Sequence, residues 1–254
     1  MANLLQVEHL SLTMNKTSIL KDVSFEIEEG HLCAFIGSNG AGKTTTIKCI
    51  VGLYPYTQGK ITINGVSAKN AMSHYALGYV PEKENFPKIK VKRFLTSMSE
   101  FYHLDKNKTN TTVQKLYQLF QIEGFENHRL TKLSSGQKKK ILIIQALINN
   151  PDILIMDEPT ENMDPDARLI FYEVINTFKK MKKTIFISTH NLDEIQKYAD
   201  DVVIINDGEI KFTGSIKSKD LYQIYERYTD NKRNESVAKE IKKITAADIF
   251  NTSL

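Results

Sequence analysis

With 254 residues, of which 41% are hydrophobic and 25% charged, the chain is long enough to bury a large core and has the composition of an ordinary globular protein. Its net charge of +4 is spread over 34 basic and 30 acidic residues, which argues against a nucleic-acid partner. No apolar run reaches the ~18 residues that span a bilayer, no leader pattern opens the chain, and two cysteines without ligand spacing read as buried free thiols, so a cytoplasmic protein is expected.

In chain order, residues 4–12 and 23–27 alternate apolar and polar, as half-buried antiparallel strands do. Residues 32–36 are continuously apolar, the pattern of a strand covered on both faces. That strand runs into Gly37-Ser38-Asn39-Gly40-Ala41-Gly42-Lys43-Thr44, and from Thr45 to residue 51 the chain reads as a helix. A strand–loop–helix with this spacing is a phosphate cradle. Glycines let backbone N–H groups turn inward, and the positive helix end adds to them. Lys43 is expected on the β- and γ-phosphates and the Thr44 hydroxyl on Mg²⁺. Residues 59–64 form a short strand before an Asn64-Gly65 turn, and residues 77–80 another, stopped by Pro81.

From residue 91 to 149 the period becomes helical, with main segments at 93–101, 112–120 and 137–148. The polar stretch 105–110 reads as a surface connection, and lysine runs at 138–140, 179–183 and 242–243 as solvated helix faces. Residues 153–156 return as a buried strand ending in Asp157-Glu158. Asp157 is expected to hold Mg²⁺ through water, and Glu158 to polarise the attacking water, with the phosphate loop on a neighbouring strand. A helix at 167–181 precedes a strand at 184–188, which ends in Ser188-Thr189-His190. This strand-end position brings His190 to the same phosphate edge, whereas His9, His31, His74, His103 and His128 read as structural. A helix at 192–198 leads to a hairpin, 202–206 and 209–212, around Asp207-Gly208. Strands alternating with helices imply a largely parallel sheet. Residues 1–215 form one unit carrying an inserted helical lobe at about 87–150. Residues 216–254 form a tail of two amphipathic helices, one on Leu221, Ile224, Tyr225 and Tyr228, the other on Val237, Ile241 and Ile244.

Between the phosphate loop and the acid pair lies Leu133-Ser134-Ser135-Gly136-Gln137. In this order the three motifs resemble the ABC (ATP-binding cassette) ATPase family, and the likeness extends over residues 4–214. It implies an α/β P-loop NTPase fold with a mostly parallel core sheet, an antiparallel β subdomain and an inserted α-helical lobe. It also implies ATP hydrolysis to ADP and phosphate with ATP and Mg²⁺. By resemblance, the pentapeptide is the family's signature, and its Ser134, Ser135, Gly136 and Gln137 face the γ-phosphate of ATP held by a second cassette. Asp164 lies in the loop crossing that interface, and His190 is the switch histidine on the γ-phosphate. Glu82 stands where the family usually has a glutamine linking Mg²⁺ and nucleotide to the membrane partner. Met14 stands where an aromatic usually stacks on adenine, so weaker adenine discrimination is expected. Ser135 and Asn162 replace glycines.

The closest resemblance, through Pro81-Glu82, is to bacterial exporter ATPases of the ABC-2 type. The expected partners are a second cassette, as a homodimer rather than a heterodimer, and a separate integral-membrane permease. The permease would hold the chain at the inner face of the membrane and receive motion through the cleft at residues 82–92. Drug, antimicrobial-peptide or lipid export is implied by family alone. The alternative is a soluble assembly ATPase of the iron–sulfur scaffold type. A regulatory module without catalysis is a third reading, opposed by Lys43, Asp157, Glu158 and His190.

Overall fold

The computed structural model describes residues 3–83, 85–161, 163–216 and 220–229. Strands β1 (Asn3–Met14) and β2 (Thr17–Glu28) pair antiparallel. They run further than the alternation suggests because Asn15 and Lys16, at φ 49° and 67°, close a tight turn between them. The chain then crosses to a second sheet as β3 (Leu32–Ile36) and returns as β4 (Gln58–Ile63) and β5 (Val66–Ser67). The first sheet is antiparallel, in the order β2-β1-β4-β5.

The second sheet adds β6 (Leu77–Val80), β7 (Ile153–Asp157), β8 (Thr184–Thr189), β9 (Asp201–Asn206) and β10 (Glu209–Ser215). Its order is β10-β9-β3-β8-β7-β6, parallel throughout except for the β9–β10 hairpin. Both of its faces are covered in the middle, which is why β3, β7 and β8 are buried along their whole length. Leu32, Ala34 and Ile36 enter one core, while Cys33 and Phe35 enter the other. The rings of Phe25, Phe35 and Phe186, with centroids 5.1 to 5.7 Å apart, join the two sheets. Helix α1 (Lys43–Ile50) contributes Ile47, Cys49 and Ile50 to that shared core. Both cysteines are buried and free, as expected.

On the opposite face pack α2 (Val91–Phe101), α3 (Lys106–Phe120), α4 (Ser135–Leu147) and α5 (Pro165–Lys180). Helix α6 (Leu192–Ile195) is shorter than the predicted 192–198, and α7 (Leu221–Tyr228) realises the first amphipathic stretch of the tail. Among the described residues no helix is long and apolar enough to cross a membrane. The second tail helix, the lysine run at 242–243 and Asn162 lie outside the described residues.

Three expectations are corrected. Residues 106–110 are not a surface connection but the first turns of α3, nucleated by the Asp105 side chain, which accepts from Lys108 N at 2.8 Å. Strand β7 is not beside β3, because β8 lies between them. Lys139 does not solvate a helix face. It is buried and donates to the Pro81 and Glu82 carbonyls at 3.0 and 2.9 Å.

Candidate functional site

The sheet order sets the site. Loop 37–42 leaves the C-terminal end of β3, the acid pair leaves that of β7, and His190 follows β8 between them. Gly37 must be glycine, since a Cβ there would come within 2.4 Å of the Ile205 carbonyl. Gly40 and Gly42 hold φ of 84° and 112°, which turns the loop over the start of α1. Lys43 is buried and its ammonium folds back onto the Gly37 carbonyl at 2.8 Å, with Glu158 Oε1 3.5 Å away. The loop thus presents a cation and an open helix end to any phosphate.

Strand β8 performs a task that the sequence reading did not assign to it. The Ser188 hydroxyl donates to Asp157 Oδ1 at 2.6 Å and accepts from Glu158 N at 3.0 Å. One side chain therefore fixes both acids across the β7–β8 pairing, where Asp157 lies opposite Ser188. Glu158 holds φ 43°, an uncommon conformation for a side-chain-bearing residue, and this turns its carboxylate into the cleft. His190 Nδ1 lies 3.1 Å from Glu158 Oε2, and the ring is largely exposed.

These groups enclose a cleft of about 300 Å³ lined by Ser38, Asn39, Gly40, Gly42, Lys43, Thr44, Thr45, Glu82, Glu158, Glu161 and His190. Glu161 was not singled out from sequence. It reaches the rim because the turn after Pro159 doubles back, with its N–H donating to the Glu158 carbonyl at 3.2 Å. The proximity of residue 161 to the acid pair was the only available signal. Gly37 and Ala41 form the loop behind the cleft, and Asp157 lies fully buried beneath it.

The remaining predicted residues stand elsewhere. Met14 lies at the end of β1, 42% exposed. Ser134 is the N-cap of α4. Its hydroxyl accepts from Gln137 N at 3.2 Å, and the Gln137 side-chain Oε1 accepts from Ser134 N at 3.0 Å, a reciprocal capping box. Ser135 is exposed beside it, and a Cβ on Gly136 would meet no atom within 4 Å outside its own helix turn and chain neighbours. Asp164 caps α5, accepting from Ala167 N at 2.8 Å.

Burial is the main cause that raises the Asp157 pKa above the usual carboxylate range. The Ser188 and Thr44 hydrogen bonds oppose the shift, and the nearby Glu82 and Glu158 charges add to it. Asp157 Oδ2 and Glu158 Oε1 are buried without a hydrogen-bond partner, and Glu82 Oε2 lies 3.4 Å from the Thr44 hydroxyl. Glu158 Oε1 is answered by the Lys43 ammonium, whereas the open Asp157 oxygen, with the Glu82 carboxylate and the Thr44 hydroxyl nearby, suits a hard divalent cation. Among the described residues no three His, Cys, Asp or Glu side chains converge as a complete metal cage. The fit is therefore to a cation such as Mg²⁺ that completes its shell with phosphate and water.

Residues 20–161 match the family model described as ABC transporter. A putative ABC transporter ATP-binding protein of Mycoplasma pneumoniae is 39% identical over 99% of this chain and 80% of its own length. The Nod factor export ATP-binding protein I of Rhizobium etli is 31% identical over 78% of this chain and 64% of its own. The zinc import ATP-binding protein ZnuC of Buchnera aphidicola is 32% identical over 81% and 82%. A solved structure of an ATP-binding subunit of an ABC transporter aligns with a TM-score of 0.80 at 31% identity, over 85% of this chain and 91% of that one. The glycine loop, acid pair and signature segment stand on the fold of those relatives, and the chain belongs to the ABC transporter family as an ATP-binding, ATP-hydrolysing subunit.

Proposed function

We propose that the chain is the motor of an exporter, working as a homodimer on a separate membrane subunit. In this reading Lys43 and the loop N–H groups hold the β- and γ-phosphates. Glu158, oriented by Ser188, polarises the attacking water, and His190 contacts the γ-phosphate. Thr44, Asp157 and Glu82 hold Mg²⁺, which neutralises charge on the phosphates when bound.

The observation that carries the dimer is the place of Gly136. Outside its own helix turn and its two chain neighbours, no atom of the described residues lies within 4 Å of where a Cβ would stand, and its φ is not positive, so the fold does not explain the glycine. Residues 134–137 are also absent from the lining of their own cleft. An exposed helix start that requires no side chain suits close approach by the phosphates of a second copy. The Glu158→Gln chain is expected to lose turnover by at least about 100-fold and to sediment as a dimer with ATP but as a monomer without it. Near wild-type turnover would remove Glu158 from the base role, and a monomer at saturating ATP would remove the sandwich.

A seat for the membrane subunit is offered by the exposed rings of Tyr75 and Phe101, joined through Tyr102 at 5.9 and 5.2 Å. With the exposed Met72 they form an apolar patch between the turn preceding β6 and the end of α2, flanking the segment that holds Glu82. The Pro81-Glu82 resemblance and the Nod factor export relative support the export reading, and the zinc import relative names the opposite direction. Drug, peptide or lipid cargo remains a family inference whose site would lie in the membrane subunit. Co-purification with a multi-span protein from detergent-solubilised membranes tests the reading, and a wholly soluble complex would sink it.

A further inference from the structure

Lys139 is 3% exposed, an unusual place for a lysine, and it lies just past the first turn of α4. Its ammonium bridges two consecutive carbonyls at the end of β6, Pro81 O at 3.0 Å and Glu82 O at 2.9 Å. Further along, the same helix and strand touch backbone to backbone. A Cβ on Gly78 would stand 2.2 Å from the Ala146 carbonyl. Helix α4 is thus fixed to β6 at two points, one near each end of the helix. At the first point, the Glu82 carboxylate faces Thr44 in the phosphate cleft. Beyond it, the helix ends in the Ser134–Gly136 segment, whose two serines are exposed.

We propose that Lys139 is a positioning residue that makes the Glu82 loop and the signature end of α4 move as one unit. Metal and nucleotide drawn to Glu82 in one cleft then set the attitude of the segment offered to the other copy. This rests on the reading of Glu82 given above. A flexible four-carbon stem with three donors suits the task, since it reaches from a helix to two carbonyls that would otherwise be left short of donors. The bridge grips main-chain atoms, so it holds Glu82 in place whatever its side chain binds.

The test is a double-mutant cycle on the full chain with two equilibrium readouts. One is the Mg²⁺ concentration for half-maximal binding of a fluorescent ATP analogue. The other is ATP-induced association of the Glu158→Gln background by sedimentation. Lys139→Met is expected to raise the half-saturating Mg²⁺ by about 10-fold, as loss of the support behind a metal ligand does, and to abolish association. Glu82→Ala is expected to raise it similarly. The double variant should be no worse than either single one, the mark of residues acting through each other. Lys139→Arg, which can still bridge two carbonyls, should restore both readouts, and a merely structural lysine would not produce this pattern.

Effects that multiply in the double variant overturn the proposal. So does a folded Lys139→Met chain with normal Mg²⁺ dependence beside an impaired Glu82→Ala, an outcome that leaves the Glu82 reading standing. A silent Glu82→Ala instead overturns the Glu82 reading and the coupling with it. Should Lys139→Met not fold, as judged by melting, Lys139→Gln takes its place under the same criteria.

Discussion

Asp157 is fully buried at the end of β7, with one oxygen held by Ser188 and Oδ2 unpaired. Its pKa is raised, chiefly by burial. The folded chain therefore holds more protons than the unfolded one in the window above the usual carboxylate pKa. The contribution of this group to stability is present at low pH and is lost as pH rises through the folded value. Asp157→Asn is expected to raise the neutral-pH melting temperature of the nucleotide-free chain in chelator by about 2–4 °C, the equivalent of roughly 1 kcal/mol. The same substitution should remove the Mg²⁺-dependent part of ATP binding. A lower melting temperature would show that the buried charge is compensated in the free chain. Met14 offers a thioether where an aromatic would offer a π face. Met14→Tyr should tighten ATP binding by about 1 kcal/mol, roughly fivefold. A strong preference for ATP over GTP that survives Met14→Ala would exclude Met14 as the base contact.

Helix α4 joins functions that the chain keeps far apart in sequence. Its start is a capping box of Ser134 and Gln137, the residues proposed to meet a second copy, so local helix chemistry and that proposed contact share the same atoms. Its far end rests against β6 where Gly78 leaves space for the Ala146 carbonyl. Gly78→Ala should lift the helix off the strand and destabilise the chain by about 1–3 kcal/mol, read by urea unfolding. Because the same movement carries Ser134 and Gly136, ATP-induced association should weaken more than ATP binding does. Unchanged stability would mean that α4 and β6 separate freely at this point. The correction at residues 106–110 belongs to this scale too. A polar stretch hid a helix because α3 buries little in its first turns, although Asp105 supplied a readable cap.

For the whole molecule, the cleft that Glu82 lines and the aromatic patch of Tyr75 and Phe101 share no residue, so the two proposed contacts can be tested separately. Phe101 is 68% exposed and does no evident work in the core. Phe101→Glu should therefore leave the melting temperature unchanged, within about 0.5 kcal/mol of stability, and leave ATP binding by the isolated chain intact. Co-purification with a membrane subunit should fall sharply. Retained co-purification would move the docking site elsewhere.

The sequence by itself determined the parts whose chemistry is contiguous. The glycine loop with Lys43 and Thr44, the acid pair, the signature pentapeptide and the strand-end His190 each fit within a few residues of backbone, and so did the parallel sheet, since buried strands advertise themselves by unbroken apolar runs. Only the tertiary structure decided what depends on strand order and on side chains crossing between elements. It placed β8 between β3 and β7, which gave Ser188 control of both acids. It folded the turn after Pro159 so that Glu161 reached the cleft, and it drew Lys139 out of an apparently solvated lysine run into the core. A lysine among lysines carries no mark of burial in the sequence, because the main-chain carbonyls to which it donates lie 57 and 58 residues away, and every residue type presents those.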